Sequence, residues 1–239
     1  MSEPGYRGYR EWKSWEAARF GEIRPEEGAY FDAELTKSGA GALAGKRVVE
    51  IGFGNGGFAQ WARKNGADYA GTEVIPELQA LGREAGIRVL DHESLLAAQA
   101  GAGTIDLIVA FDVFEHIEVN QLRVLLADLK ACLRPGGRLI GRVPSGDSPF
   151  SRAIQHGDLT HRTAFGSSAI LQLAMAAGFA DVTTREPAFP LNGAGCLGAI
   201  RRMMVRAARS VLYPLISRVL MGGGRPVLTP NMVFVLRRS

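Results

Sequence analysis

The stretch RVVEIGFGNGG at residues 47–57 decides the fold of this 239-residue chain. Its first five residues are mostly apolar and β-branched, which predicts a short buried strand. The glycines that follow permit a tight turn and let a ligand approach the backbone closely. Gly52, Gly54 and Gly57 also satisfy the spacing G-x-G-x-x-G, which without its structural context is weak support for a ligand site. We therefore expect a strand, a glycine turn and a helix, with a ligand bound at the turn.

Short apolar, β-branched runs alternate with segments of helical periodicity along the rest of the chain. This alternation predicts an α/β three-layer sandwich with a mostly parallel sheet of seven strands. In such sheets ligands bind at the carboxyl ends of the strands. We expect the closing strand to lie at an edge of the sheet. The predicted strands are residues 47–51, 68–73, 87–90, 104–111, 138–143, 179–187 and 231–238.

The chain divides into an N-terminal helical segment with a linker, residues 1–45, and a main domain, residues 46–239. The first part is polar and rich in aromatic residues, whereas the alternating pattern begins only with the second. Within the main domain we expect a helix at residues 121–133 capped by Asn120, a polar insert at 144–166, and a basic helical segment at 197–220 broken at Pro214.

The net charge of +4 is distributed unevenly. Residues 187–239 hold eight arginines and no Asp, Glu or Lys, so the rest of the chain is acidic. A basic patch alone is weak support for nucleic acid, and no nucleic-acid partner is expected. The N-terminus lacks an apolar signal region, and no apolar run is long enough to span a membrane. With only two cysteines, Cys132 and Cys196, these features predict a cytoplasmic protein without a disulfide framework.

Three carboxylates lie at the ends of the first three predicted strands. Glu50 would repel the pyrophosphate of a nicotinamide dinucleotide, but it would favour a sulfonium or amino group. Glu73 follows the first glycine by about 20 residues, where a carboxylate can accept hydrogen bonds from ribose hydroxyls. Asp91 ends the third strand and is able to accept from an adenine amino group. Glu50 therefore argues against a nicotinamide-dependent oxidoreductase.

Five stretches together resemble the ordered motifs of class I S-adenosylmethionine-dependent methyltransferases. They are VVEIGFGNG (48–56), GTEV (71–74), LDH (90–92), IDLIVAFDVFEHI (105–117) and LRPGGRLIGRVPS (133–145). The resemblance covers roughly residues 30–187. It implies a Rossmann-like fold whose seventh strand is antiparallel, with S-adenosyl-L-methionine as the cofactor.

The resemblance also implies the residues that hold this cofactor. The glycine turn would carry it, Glu73 would bind the ribose, and residues 110–112 would lie along the methionine part. Asp91 and His92 would lie beside the adenine. The expected cofactor-binding residues are Glu50, Gly52, Gly54, Gly56, Gly57, Glu73, Val74, Asp91, His92, Ala110, Phe111 and Asp112.

A narrower resemblance is to methyltransferases associated with polysaccharide biosynthesis. GFGNGGF (52–58) and HGDLTHRTAFGSSAILQLAMAAGF (156–179) are similar to their pattern. This implies methyl transfer to a hydroxyl of a glycan or a related small molecule. A quinone or secondary-metabolite methyltransferase is the alternative enzyme. A non-catalytic subunit that binds the cofactor is the alternative outside enzymes.

Methyl transfer to a hydroxyl requires that the hydroxyl lose its proton, which a histidine is suited to accept. His116, His156 and His161 are candidates for this base, and His161 is preferred because it lies in the motif of the narrower group. Asp158 is able to orient the histidine. A metal held by His156, Asp158 and His161 is less favoured, because oxygen-rich ligation needs more carboxylates than this loop supplies. We therefore predict no metal ligands.

The basic segment 197–220 is amphipathic and has no acidic residue. The favoured interpretation is that its apolar face packs on the sheet while its arginines are solvated. The same pattern is typical of a helix that lies on an anionic membrane surface. In a third interpretation the arginines bind acidic groups of the substrate. The sequence leaves these interpretations and the oligomeric state open.

Overall fold

One seven-stranded sheet organises the computed structural model, which describes residue 6 and residues 8–91 and 103–239. Its strands are β1 (Arg47–Ile51), β2 (Asp68–Thr72), β3 (Arg88–Leu90), β4 (Ile105–Phe111), β5 (Leu133–Pro144), β6 (Asp181–Arg185) and β7 (Asn231–Arg237). Their order is β3-β2-β1-β4-β5-β7-β6, and β7 runs antiparallel to both of its neighbours. The pairs among β1 to β5 are parallel. The predicted fold class is therefore confirmed.

Helices cover both faces of this sheet. Those in the described residues are α1 (Tyr9–Trp12), α2 (Pro25–Lys37), α3 (Gly57–Lys64), α4 (Pro76–Glu84), α5 (Val119–Cys132), α6 (Arg152–Gln155), α7 (Ser167–Ala176) and α8 (Gly195–Leu220). Single 3-10 turns lie at Ala17–Arg19, Phe114–His116 and Pro149–Ser151. The apolar side chains of α5 and α7 share one core with the sheet, and those of α2, α3 and α4 share the other. These two cores make the three layers.

The α5 core follows directly from the helical periodicity of its sequence. Leu122, Leu126 and Leu129 recur at helical spacing and are buried. They lie in one cluster with Ile108 of β4 and Leu139 of β5. Full burial of such a side chain contributes about 1.5–3 kcal/mol, so this row fixes α5 against the central strands.

The position of the closing strand differs from its prediction. β7 is not at the edge of the sheet, because it lies between β5 and β6, and β6 is the edge strand. Met232, Val233 and Phe234 are all buried, so β7 is covered on both faces. A strand covered on both faces needs a nearly continuous apolar run, which NMVFVL supplies.

Two helix boundaries also correct the sequence prediction. Asn120 does not cap α5, because Glu118 is the capping residue and Asn120 lies in the first turn of the helix. The basic helix is not broken, because α8 continues through Pro214 to Leu220. Proline removes one backbone hydrogen bond, but its fixed φ is helical, so a helix can continue past it at a cost.

The N-terminal helix α2 packs on the same core as the sheet. The ring of Phe31 stacks on that of Phe111 at the end of β4, with centroids 6.0 Å apart. Glu34 is fully buried and forms an ion pair of 2.6 Å with Arg185 of β6. These contacts tie the N-terminal part to the carboxyl end of β4 and to the edge strand.

Substitution of Gly141 tests the packing of β5 against β7. A Cβ at this position would lie 2.0 Å from Cζ of Phe234, so no side chain fits without displacing that ring. We expect Gly141→Ala to lower the free energy of unfolding in urea by about 3 kcal/mol. In α2 a Cβ at Gly28 has ordinary contacts of 3.7 Å, and Gly28→Ala should be neutral or stabilise by up to about 1 kcal/mol. Equal effects of the two substitutions would contradict this packing.

Candidate active site

The turn after β1 has the left-handed backbone that its glycines predict. The φ angles of Gly52, Gly54 and Gly56 are 70°, 51° and 75°. The backbone nitrogens of Gly52 and Phe53 both donate to the carbonyl oxygen of Thr72, which joins the turn to β2. A Cβ at Gly52 would also lie 2.8 Å from Cγ2 of Val113. Backbone conformation and space therefore both require glycine here.

Aromatic side chains of the N-terminal segment cover this turn. The ring of Trp15 would lie 3.0 Å from a Cβ at Gly54, and that of Phe20 would lie 2.7 Å from one at Gly56. The backbone nitrogen of Gly21 donates to the carbonyl of Asn55 at 2.8 Å. The residues before α2 thus form a cover over the glycine turn.

Gly57 and Val74 complete the described surroundings of the turn. Gly57 is the first residue of α3, so the N-terminus of that helix points at the turn. The side chain of Val74 is exposed, directly after Glu73 and in front of α4. Both residues therefore lie at the carboxyl ends of β1 and β2, where they were expected.

Glu73 joins the turn to the end of β2. Its carboxylate accepts hydrogen bonds from the backbone nitrogens of Gly54 at 2.9 Å, Val74 at 2.7 Å and Ile75 at 3.0 Å. Burial raises the pKa of Glu73, and the three backbone hydrogen bonds act in the opposite direction. Each carboxylate oxygen has two lone pairs, so the group can still accept from a ligand hydroxyl.

Glu50 is a buried carboxylate on β1 with one hydrogen-bond donor. The hydroxyl of Tyr69 donates to it, and the side chain is 4% exposed. Burial raises the pKa of Glu50 to about 8, and the neighbouring charge of Glu73 adds to the rise. A cationic group placed beside it would favour the ionised form.

The end of β4 is fixed by an ion pair. Asp112 adopts a positive φ of 58° and accepts two hydrogen bonds from the guanidinium of Arg142 on β5. The guanidinium also lies over the rings of Phe111 and Tyr30, at 5.4 and 5.3 Å from their centroids. Ala110 is buried in the core below them. The side chain of Ala110 therefore lies in the core shared with α5 and α7, whereas that of Phe111 packs against the core on the other face.

Three other predicted site residues are Asp91, His92 and His156. Asp91 follows β3 with an exposed side chain. His92 is outside the residues that the structure describes. His156 follows α6 with an exposed side chain and is absent from the described group of metal-ligating side chains at this edge. The structure therefore does not bring His156 together with the other two candidate bases.

Glu115, His116 and His161 form a cluster, here called the His–Glu cluster, directly after β4. One ligating atom of each lies within 4.8 Å of those of the other two. The two imidazole rings are 4.7 Å apart, and Nε2 of His161 is 3.9 Å from Oε1 of Glu115. The backbone nitrogens of Arg162 and Thr163 donate to the carbonyl of Glu115, which brings the polar insert onto the end of β4.

Asp158 connects the cluster to the N-terminal cover. It accepts hydrogen bonds from Oη of Tyr9 at 3.1 Å and from Oγ1 of Thr160 at 2.5 Å, and Nζ of Lys13 lies 3.5 Å away. Asp158 was predicted to orient a histidine. It reaches His116 through Thr160, and its Oδ2 lies 3.7 Å from Nε2 of His161, too far for a hydrogen bond.

Burial governs the protonation of this region. It raises the pKa of Glu115 well above the ordinary range, and the charge of Asp112 adds to that rise. It lowers the pKa of His116 to about 4, and nearby His161 adds to that effect. Burial alone would raise the pKa of Asp158, but the hydrogen bonds from Thr160 lower it below its ordinary value. His116 is therefore neutral at pH 7.

Sequence reasoning missed four residues of this site: Glu115, Thr160, Tyr9 and Arg142. Glu115 and Thr160 adjoin predicted histidines, so their positions in the motifs carried a usable signal. Tyr9 and Arg142 carried none, because their contacts depend on how distant segments pack.

The chain belongs to the family described as "Methyltransferase domain", which matches residues 20–184. That range includes the glycine turn, Glu73 and the whole His–Glu cluster. The chain thus contains a class I methyltransferase domain, and S-adenosyl-L-methionine is the cofactor of this class.

Curated relatives match part of the chain. A stretch of 110 residues is 29% identical to "Ubiquinone biosynthesis O-methyltransferase" of Acinetobacter baumannii, and it covers 42% of this chain and 44% of that protein. The protein of the same name from Xanthomonas euvesicatoria is 32% identical over 108 residues, which cover 41% of this chain and 42% of that protein. The chain thus spans less than half the length of these relatives.

Solved structures match more of the chain at lower identity. A SAM-dependent methyltransferase from Archaeoglobus fulgidus superposes with a TM-score of 0.63 at 15% identity, covering 98% of this chain and 99% of that one. Phosphoethanolamine N-methyltransferase 2 from Haemonchus contortus, in complex with S-adenosyl-L-methionine, superposes with a TM-score of 0.59 at 17% identity. The match covers 98% of this chain and 60% of that one. At these identities the likeness shows the fold alone.

The raised pKa of Glu50 predicts a pH dependence of stability. An unfolded glutamate ionises near its ordinary pKa, whereas Glu50 in the folded chain keeps its proton up to about pH 8. The free energy of unfolding contributed by this group therefore falls as pH rises from about 4.5 to 8. Glu50→Gln should remove that contribution. The free energy of unfolding of the variant, relative to that of wild type, should therefore increase as pH rises across this window. Urea denaturation of both proteins at several pH values measures the difference, and a constant difference would contradict the assignment.

Proposed function

We propose that this chain transfers a methyl group from S-adenosyl-L-methionine to a hydroxyl oxygen of an acceptor bound beside the His–Glu cluster. The observation that carries the proposal is the position of this cluster on the same sheet edge as the glycine turn. Aromatic residues connect the two places: Trp15 lies on Gly54, its ring centroid is 6.0 Å from that of Tyr9, and Tyr9 is 6.2 Å from His116.

The carboxylates of this edge fit the cofactor. When bound, S-adenosyl-L-methionine supplies an activated methyl group on a cationic sulfonium. Glu50 has one donor and is buried, so an ammonium group beside it would complete its interactions. Glu73 is held in place by three backbone nitrogens and has lone pairs left for ribose hydroxyls. We infer that these two residues bind the cofactor's charged and hydroxyl groups.

The His–Glu cluster fits the requirement that the acceptor hydroxyl lose its proton. His116 and His161 each have one ring nitrogen engaged, by Thr160 and by the carbonyl of Gln155. The other ring nitrogen of each is left for the acceptor. Alignment of the hydroxyl with the methyl group contributes the rest of the acceleration. We infer that His161 and His116 activate the hydroxyl.

The acceptor belongs to one of two chemical classes. The narrower sequence resemblance supports a sugar hydroxyl of a glycan or related compound. The relatives named as ubiquinone biosynthesis O-methyltransferases support a phenolic hydroxyl of a quinone precursor. We propose the glycan class first and the quinone class as the second candidate.

Methyl transfer assays test the activity and the acceptor class together. The full chain is incubated with methyl-labelled S-adenosyl-L-methionine and either glycan intermediates or catechol-type quinone precursors. Mass spectrometry then identifies the product. We expect an O-methylated product from one class, and transfer to an amine in preference to either hydroxyl would contradict the proposal.

Alanine at His161 tests the role of the cluster. His161→Ala should lower kcat at least about 100-fold, while KM for S-adenosyl-L-methionine changes little, because the residue acts on the acceptor. His156→Ala is the matched control, since His156 is an exposed histidine of the same insert. Equal kcat values of the two variants would contradict a role of the cluster in catalysis.

The basic helix α8 supports an amphiphilic acceptor. None of its residues is buried, which contradicts the favoured expectation that its apolar face packs on the sheet. Its exposed apolar residues are Leu197, Ile200, Met203, Met204, Val211, Leu212, Leu215, Val219 and Leu220. Of the helices in the described residues, none is long and apolar enough to cross a membrane. We therefore propose that this face of α8 lies on an anionic membrane surface.

The arginines of α8 divide between two sides of the helix. Arg202 and Arg206 donate to the carbonyls of Pro190 and Phe189, and the guanidinium of Arg209 lies 5.1 Å from the centre of the Phe189 ring. These three residues hold the helix on the preceding segment. Arg201 and Arg218 are exposed, so they are the charges available to lipid phosphates.

Vesicle sedimentation tests this surface. We expect the chain to sediment with phosphatidylglycerol-containing vesicles and not with pure phosphatidylcholine vesicles, and to dissociate as salt rises. The double variant Arg201→Gln and Arg218→Gln should bind less, and Val211→Ser with Leu215→Ser should bind less at any salt concentration. Failure of wild type to bind anionic vesicles at low salt would refute the membrane contact.

A further inference from the structure

The His–Glu cluster brings a buried carboxylate together with two imidazoles. Glu115 is 1% exposed, and neither of its carboxylate oxygens has a hydrogen-bond partner in the described residues. A buried carboxylate without donors is costly, since the desolvation of its charge is not compensated. The position therefore requires either a bound proton or a cation.

Hydrogen bonds around His116 fix which of its ring nitrogens is free. Oγ1 of Thr160 donates its one proton to Asp158, at 2.5 Å. The same oxygen is 2.8 Å from Nδ1 of His116, so it must accept a hydrogen bond from that nitrogen. Nδ1 thus carries the hydrogen, and Nε2 of neutral His116 presents a lone pair.

His161 is fixed in the same way by a backbone group. Its Nδ1 lies 3.0 Å from the carbonyl oxygen of Gln155, which can only accept. Nδ1 therefore carries the hydrogen, and Nε2 is directed to the cluster. The distance of 3.9 Å from this Nε2 to Oε1 of Glu115 is too long for a hydrogen bond but leaves room for an ion between them.

Both histidines thus have the second-sphere partners that metal-binding histidines have. The N–H of the other ring nitrogen of such residues donates a hydrogen bond to a carbonyl or, directly or through a hydroxyl, to a carboxylate. The sequence argument against a metal counted only the carboxylates of the polar insert. Glu115 supplies one from the segment after β4, which the fold brings against the insert.

We propose that Glu115, His116 and His161 bind a divalent first-row transition-metal ion through the two Nε2 atoms and a carboxylate oxygen. A donor set of two imidazoles and one carboxylate suits Zn²⁺ or Mn²⁺ better than Mg²⁺ or Ca²⁺, which prefer all-oxygen sites. Bond lengths of about 2.0–2.2 Å would require the three ligating atoms, now within 4.8 Å of one another, to move closer together on binding. Three protein ligands leave a position open for another ligand.

The role of the ion rests on the proposed function. An acceptor hydroxyl in the open position would be held by the ion, and its pKa would be lowered as for other metal-bound oxygens. The proton of that hydroxyl would leave to solvent water, because the Nε2 atoms of His116 and His161 would be ligands of the ion and would no longer be free to accept it.

Metal titration tests the site without any methyl acceptor. The untagged full chain is treated with a chelator, dialysed and titrated with Zn²⁺, Mn²⁺ and Mg²⁺ by calorimetry, with the melting temperature as a second readout. We expect about one Zn²⁺ or Mn²⁺ per chain, a raised melting temperature and much weaker Mg²⁺ binding. No saturable binding of Zn²⁺ or Mn²⁺ would overturn the proposal.

Variants separate a metal site from a protonated carboxyl. Glu115→Gln keeps the shape of a protonated glutamate, so it should fold like wild type yet lose at least about 100-fold in metal affinity. Thr160→Val removes only the hydroxyl that orients His116 and should lower metal affinity about 10- to 100-fold. Glu118→Gln, at an exposed carboxylate three residues away, should bind like wild type.

The outcomes also separate this inference from the proposed function. Unchanged metal affinity in Glu115→Gln would refute the metal site and assign a bound proton to Glu115. Chelated protein that still transfers methyl at the full rate would refute the role of the ion in activating the acceptor. Metal binding without methyl transfer to either hydroxyl class would leave the site established and refute the proposed function.

Discussion

A carboxylate that leaves water must find hydrogen-bond donors or a cation, and this constraint governs the carboxyl edge of the sheet. Four of the acidic residues described at this edge differ in how far they meet that requirement. Glu73 has three backbone nitrogens, Asp112 has the guanidinium of Arg142, Glu50 has one tyrosine hydroxyl, and Glu115 has no hydrogen-bond partner in the described residues. Glu50, with one donor, and Glu115, with none in the described residues, are the places where a cationic group would complete the structure.

The N-terminal segment joins these places into one site. Trp15 and Phe20 cover the glycine turn, and Tyr9 and Lys13 contact Asp158 beside the His–Glu cluster. The segment therefore links the glycine turn to the His–Glu cluster.

The sequence predicted what depends on local pattern. Residues 47–51 became β1 as expected, because an apolar β-branched run before a glycine turn leaves few alternatives. The predicted place of β7 at the edge of the sheet was wrong, since its pairing between β5 and β6 is decided by distant segments. His161 and Asp158 were predicted together and lie together, whereas Glu115 was missed because its burial arises only when the insert folds over it.

The most direct test of this account is calorimetry of S-adenosyl-L-methionine binding at pH 7 in two buffers of different ionisation enthalpy. Glu50 is mostly protonated at this pH, since its pKa is about 8. A cofactor ammonium group beside it would make it ionise. The account predicts binding with release of close to one proton, and no such release in Glu50→Gln. NADH binding without S-adenosyl-L-methionine binding, or equal proton release by both proteins, would contradict it.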